Sequence, residues 1–191
     1  MREILSMIIV LSAICSASGF ALSYLKQTSA PLIEAQVLTY VQGPAIASVY
    51  PAAENDPVAE RQPFNTPDGR RVMVFPYKQG GKLLGVALEN KAGGFGGDVN
   101  VMVGFNLGND SLLGIGITEM KETPGLGTKV AEPKFTKQFI GASAAVELSA
   151  RGGKVDSVSG ATISSAAVIG AVKAADQDYQ ALKAQILQTW Q

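Results

Sequence analysis

The sequence predicts an α+β protein: one N-terminal transmembrane helix, then a domain whose antiparallel sheet is followed by a long C-terminal helix. Three observations predict it. Residues 4–25 form an uncharged, mostly apolar run. The middle of the chain holds short β-branched or apolar stretches separated by Gly and Asn/Asp turns. The last stretch, residues 164–188, is alanine-rich, free of proline and amphipathic. Strands first and a helix last argue against a doubly wound parallel sheet.

The elements follow in chain order. As a helix, residues 4–25 extend over about 22 residues and roughly 33 Å, enough for a hydrocarbon core of ~30 Å. The run exceeds the 7–15 apolar residues usual in a signal-peptide core, although Ala17-Ser18-Gly19 leaves a cleavable signal as the competing reading. Ile14 directly before Cys15 argues against a lipoprotein, because modified cysteines normally follow a small residue. Ser6, Ser12, Ser16, Ser18 and Gly19 dilute the run and suit close packing against a neighbouring helix. Arg2 before it and Lys26 after it orient it only faintly. Residues 26–42 read as a stalk and short helix, with Leu32, Ile33, Val37, Leu38 and Val41 at helical spacing and Gly43-Pro44 as its stop. Four prolines between 51 and 69 make that segment irregular or edge-like. Strands are expected at 72–77, 83–88, 99–106 and 112–117. A helix is expected at 134–140, where Phe135 and Phe139 share a face. The organisation expected is a short N-terminus (1–3), a span (4–25), a stalk and N-terminal part of the outer domain (26–80), and the main domain (81–191).

Composition excludes several chemistries. Lys+Arg and Asp+Glu balance at 16 each among 191 residues, so nothing argues for a nucleic-acid partner. There is no histidine, hence no imidazole base and no His-ligated metal or haem. The one cysteine, Cys15, lies inside the apolar run, so the chain alone builds no disulfide, iron–sulfur cluster or zinc site. An electron carrier in this protein has to be organic. Gly94-Phe95-Gly96 and Gly114-Ile115-Gly116 lack the third glycine of a dinucleotide fingerprint, and there is no Walker motif.

The informative segment is Asp156-Ser157-Val158-Ser159-Gly160-Ala161-Thr162, which leads into the last helix. Gly160 permits a tight turn and Ala161 keeps the approach open. Thr162, Ser164 and Ser165 then surround the helix start, where free N–H groups and the helix dipole favour a phosphate. On these local grounds alone the segment reads first as a plain helix cap by Ser159 or Thr162, a routine job for either residue type. A hydrolase using either hydroxyl as nucleophile lacks a histidine base, and no Ser-x-x-Lys pattern accompanies either residue. Upstream, Lys121-Glu122-Thr123-Pro124-Gly125-Leu126-Gly127 is a turn-rich loop after a strand. It can offer N–H and C=O groups to the polar edge of a flat ring while Leu126 covers an apolar face. Gly93-Gly94-Phe95-Gly96-Gly97-Asp98 reads as a bulge or hairpin. Tyr77, Phe95 and Phe105 could stack on a ring but read more naturally as core.

The Asp-x-x-Ser-Gly-Ala-Thr segment resembles the flavinylation motif of the FMN-binding domain family found in Rnf and sodium-pumping NADH:quinone oxidoreductase complexes. Glu-Thr-Pro-Gly-Leu-Gly resembles the segment that lies against the flavin in that family, and the glycines around Phe95 resemble its lead-in to the core strands. Length and the single span look most like the G subunits of Rnf complexes, with the corresponding subunit of the quinone-reducing pump second. The resemblance implies FMN esterified to Thr162 by a flavin transferase that uses FAD. It further implies Asp156, Ser159, Gly160 and Ala161 as the segment around the attachment site. Glu122, Thr123, Gly125, Leu126 and Gly127 would form a cofactor-binding loop. It also implies electron transfer without an NAD site, other Rnf subunits and membrane lipid as partners, and no catalytic acid or base. The location implied is the bacterial inner membrane, with the N-terminus cytoplasmic and the main domain extracytoplasmic. An anchored non-redox binding or assembly module remains the alternative of another class.

Overall fold

The computed structural model of the protein describes residues 1–50 and 53–190. Pro51, where the sequence places the start of its proline-rich segment, lies outside the described residues. The chain divides into two compact units, Met1–Tyr40 and Val41–Gln191.

The first unit is built on α1, Arg2–Val37. Its large apolar side chains, among them Ile8, Leu11, Phe20 and Leu25, are exposed. It is long and apolar enough to cross a membrane. The expected stalk from residue 26 is no separate element, since the helix continues through Pro31 to Val37.

In chain order a π-helical turn, Leu38–Gln42, is followed by α2, Gly43–Val49. Gly43-Pro44 therefore opens a helix where the sequence suggested a stop. Proline is tolerated in a helix's first turn, because the N–H it lacks has no partner there anyway. The sheet of the second unit is an antiparallel meander in the order β1-β2-β3-β4-β5. Its strands are β1 (Gln62–Asn65), β2 (Arg71–Gln79), β3 (Lys82–Gly93), β4 (Asp98–Asn106) and β5 (Leu112–Met120). β1 falls in the segment read as irregular or edge-like. It is an edge strand, and its Pro63 costs least where only one neighbour needs ladder bonds.

Both faces of the sheet are covered, which is why β4 buries five consecutive residues, Val101–Phe105, instead of alternating. On one face Val74, Val86, Leu88, Val101, Val103 and Phe105 pack beneath α4, the helix Thr162–Thr189. There Phe105 stacks on Tyr179 with ring centroids 4.4 Å apart. The other face meets α2 through Ala45, Ile46 and Val49. Gly104 lets that helix close in, because a Cβ there would stand 2.2 Å from Val49 Cγ1. The helix expected at 134–140 is split into α3, Pro133–Thr136, and a 3₁₀ turn, Lys137–Phe139. Phe135 and Phe139 are both buried and meet edge to face.

Polar anchors absent from any motif fix α4 to the sheet. Asp178 is buried, yet it receives two hydrogen bonds from the Arg70 guanidinium (2.7 and 3.1 Å) and one from Asn90 Nδ2 (2.8 Å). Close by, Asp110 accepts from Tyr179 Oη (2.6 Å) and Lys183 Nζ (2.5 Å).

Candidate flavin site at the start of α4

Three segments meet beside the N-terminus of α4. They are the hairpin turn between β3 and β4, the loop following β5, and the turn that enters the helix. Between them lies a cleft of about 330 Å³, lined by Phe95, then Glu122, Thr123, Leu126 and Gly127, then Gly160 through Ser164. Three large apolar side chains stand unburied at it: Phe95 (71% exposed), Ile163 (55%) and Leu126 (42%). Such a cluster around one concavity marks a place where something apolar binds.

At the helix start, local chemistry leaves the Thr162 hydroxyl free. Gly160 takes a left-handed φ of 77°, and Leu126 Cδ1 lies 3.0 Å from where a Cβ would point. Ala161, not Ser159 or Thr162, is the N-cap residue, and no side chain caps the helix. Ser165 instead fastens the turn that enters the helix: its buried hydroxyl donates to the Ala161 carbonyl (2.9 Å) and accepts from the Val158 N–H (3.0 Å). Ser164, also buried, donates to Glu122 Oε2 (2.8 Å). Thr162 is exposed, is the first residue of the helix, and its hydroxyl has no hydrogen-bond partner among the described residues. The plain-cap reading of Ser159 or Thr162 therefore fails. The N–H groups of Thr162, Ile163 and Ser164 precede the first intrahelical partner, Ser165 N–H to Ala161 C=O (3.0 Å), and suit a phosphate oxygen.

The residues singled out in the sequence divide between two places. Thr162, Gly160 and Ala161 join Glu122, Thr123, Leu126 and Gly127 at the cleft. Asp156 and Ser159 do not; they line a neighbouring groove of about 630 Å³ with Lys129, Lys134 and Gln138. Gln138 holds the Asp156 backbone there, accepting from its N–H (2.8 Å) and donating to its C=O (3.2 Å). Gly125 turns the loop at φ 73° and donates its N–H to Thr128 Oγ1 (2.9 Å), without lining the cleft. Of the aromatic candidates, Phe105 is core as expected, and Tyr77 stacks on Tyr50 at 4.7 Å. Phe95, read as core, instead sits exposed on the hairpin turn. The signal was present, since an aromatic flanked by glycines on a four-residue turn has no sheet face to point into. Ile163 had no signal at all. Among the described residues no group of His, Cys, Asp and Glu could hold a metal ion.

An apolar-rimmed cleft beside a helix N-terminus with a free hydroxyl has the chemistry that suits a flat ring carrying a phosphate. Residues 94–177 match the FMN-binding domain family. The chain belongs to the family of G subunits of ion-translocating oxidoreductase complexes. It is 31% identical over 179 residues to the G subunit of the ion-translocating oxidoreductase complex of Methanosarcina acetivorans, spanning 91% of each chain. It is 31% identical over 140 residues to the G subunit of the Na⁺-translocating ferredoxin:NAD⁺ oxidoreductase complex of Acetobacterium woodii, covering 69% of this chain and 66% of that one. Against the G subunit of the ion-translocating oxidoreductase complex of Escherichia coli K12 it is 37% identical over 125 residues, covering 60% of each. The crystal structure of NqrC from Shewanella oneidensis shares the fold, with a TM-score of 0.55 and 24% identity over 63% of each chain.

Proposed function

We propose that this chain is the membrane-anchored flavin subunit of an Rnf-type ion-translocating ferredoxin:NAD oxidoreductase, carrying FMN as a phosphoester on Thr162. Family membership supplies the coarser part, an FMN-binding subunit of an ion-translocating oxidoreductase complex. The observation that carries the finer part is the bare Thr162 hydroxyl at a phosphate-favouring helix start, opening on a cleft rimmed by Phe95, Leu126 and Ile163.

The residues fit the group. The isoalloxazine ring needs apolar walls, which these three side chains supply, and the phosphate needs N–H donors, which the first turn of α4 supplies. Bound FMN provides one-electron transfer; the protein provides position and electrostatics. Attachment leaves a phosphodiester with about one negative charge, favoured beside the positive end of the helix dipole. With FAD as donor, a flavin transferase would join the FMN phosphorus to Thr162 Oγ and release AMP, the hydroxyl proton passing to the transferase. The site needs no acid or base of its own, in keeping with a chain without histidine.

Residues 4–25 of α1 serve in this reading as the transmembrane span, in contact with lipid and with the other subunits of the complex. The main domain then lies outside the cytoplasm, on the outer side of the cytoplasmic (in bacteria, inner) membrane. NAD chemistry belongs to another subunit. The corresponding subunit of a sodium-translocating NADH:quinone oxidoreductase is the second reading; its support here is likeness of fold. Intact-mass measurement tests the proposal. The full chain made together with a flavin transferase should carry one FMN adduct, absent from Thr162→Ala. An unmodified, colourless wild-type chain would leave only an anchored non-redox module.

A further inference from the structure

We infer that Glu122 is a positioning residue, whose carboxylate holds the Phe95 hairpin turn and the first turn of α4 in fixed relation across the cleft. The inference deepens the flavin reading of that cleft and rests on it. Family resemblance places the Glu122 loop against the flavin, but the geometry gives this side chain inward work. Glu122 is only 6% exposed. Its Oε1 accepts the Phe95 N–H (2.8 Å) and the Gly96 N–H (3.3 Å), and its Oε2 accepts the Ser164 hydroxyl (2.8 Å). One side chain on the loop after β5 thus ties a turn 26 and 27 residues before it to a helix 42 residues after it.

The partners are unusual for a buried carboxylate. It has no ion-pair partner among the described residues and is held by neutral donors alone, which must offset its desolvation. The backbone around it is cleared on both sides. A Cβ on Gly94 would stand 2.1 Å from Oε1, and one on Gly127 would stand 2.8 Å from Oε2. The Glu122 side chain thus takes part of the space a side chain would need at both glycines, together with the Gly97 carbonyl at Gly94 (2.9 Å) and the Ser164 hydroxyl at Gly127 (2.9 Å). Glu122 orients Phe95, one wall of the cleft, relative to the helix turn bearing Thr162, and that separation is what a flat ring has to match.

Hydrogen exchange on the full-length chain before flavin is attached provides the first test. In Glu122→Ala the Phe95 and Gly96 amides should exchange at least about tenfold faster, the scale expected for losing a charge-assisted hydrogen bond, while amides in the middle of β3 and β4 keep their protection. Glu122→Gln should restore both amides, since its carbonyl still accepts from Phe95 and its NH₂ can donate to Ser164. Glu122→Asp, whose carboxylate falls one methylene short of these partners, should reproduce the Glu122→Ala pattern, which keeps the test available if Glu122→Ala does not fold. After flavin transfer, Glu122→Ala and Glu122→Asp should still gain the FMN adduct, but with flavin absorbance and fluorescence shifted from wild type, and Glu122→Gln should return them. Wild-type exchange at Phe95 and Gly96 in folded Glu122→Ala or Glu122→Asp, or no rescue by glutamine, would overturn the inference. A wild-type chain that takes no FMN would defeat the proposed function instead, leaving the exchange comparison intact.

Discussion

The first turn of α4 and the middle of the same helix treat polar groups in opposite ways. Around Asp178 and Tyr179 nothing is left unpaired: Arg70 and Asn90 bind one carboxylate, Tyr179 and Lys183 the other, and Tyr179 is itself stacked on Phe105. At the N-terminus the helix lacks a side-chain cap, leaves the Thr162 hydroxyl bare and exposes Ile163. Uncapped ends and exposed apolar residues cost stability, so their concentration at one end marks where the helix is kept open for a ligand. The middle is where the same helix is secured.

That contrast can be broken by mutation, and the largest effect is expected at the open end. Thr162→Ala should abolish the FMN adduct completely while leaving thermal stability within about 0.5 kcal/mol, because the hydroxyl holds nothing in the fold. Mass spectrometry and a melting curve on one preparation check both halves. Asp178→Ala should do the reverse, costing about 2 kcal/mol by stranding Asn90 and both terminal nitrogens of the Arg70 guanidinium, with the adduct still formed. Denaturant unfolding gives that figure; an unchanged midpoint would show the anchor to be ornamental. Tyr179→Phe removes one hydrogen bond but keeps the stack, and should cost about 1 kcal/mol. Phe95→Ala should leave the melting curve alone, since that ring is mostly exposed, and appear only as a change in flavin fluorescence.

The smallest expected effect concerns pH. The Lys183 ammonium, then the Tyr179 hydroxyl, hold the Asp110 carboxyl below the usual carboxylate range. A folded-state value depressed below the unfolded one, near ~3.9, adds stability in full above that pH, lost as pH falls through the folded value. Asp68 acts in the same direction: the hydrogen bond from Thr66, then that from Arg70, lower it to about 2. Both carboxylates are well exposed, so the effect should be modest. Melting temperature should decline between about pH 4 and pH 2, and less steeply in Asp110→Asn; parallel declines in the two proteins would rule out this contribution.

Much of the fold was legible locally. The apolar run, the β-branched stretches between turns and the proline-free alanine-rich tail each carry their periodicity in neighbouring residues. Where the reading failed, the deciding interaction lay elsewhere in the chain. Gly43-Pro44 is a stop or a start depending on whether Ala45, Ile46 and Val49 find a sheet to cover. The 51–69 segment contains a strand because β2 accepts it. Residues 134–140 break into two short pieces, although an unbroken helix would also have put both phenylalanines on one face.

The site divides along the same line. The amino-acid sequence by itself determined which residue types stand at the helix start and in the loop after β5, and that a tight glycine turn precedes Thr162. Only the tertiary structure decided that Glu122 faces inward, that Phe95 stands at the cleft, and that Asp156 and Ser159 border a different groove. Exposure and hydrogen-bond partnership depend on segments tens of residues apart being brought within about 3 Å of one another. No local pattern encodes that distance, because packing of the whole sheet against α4 sets it.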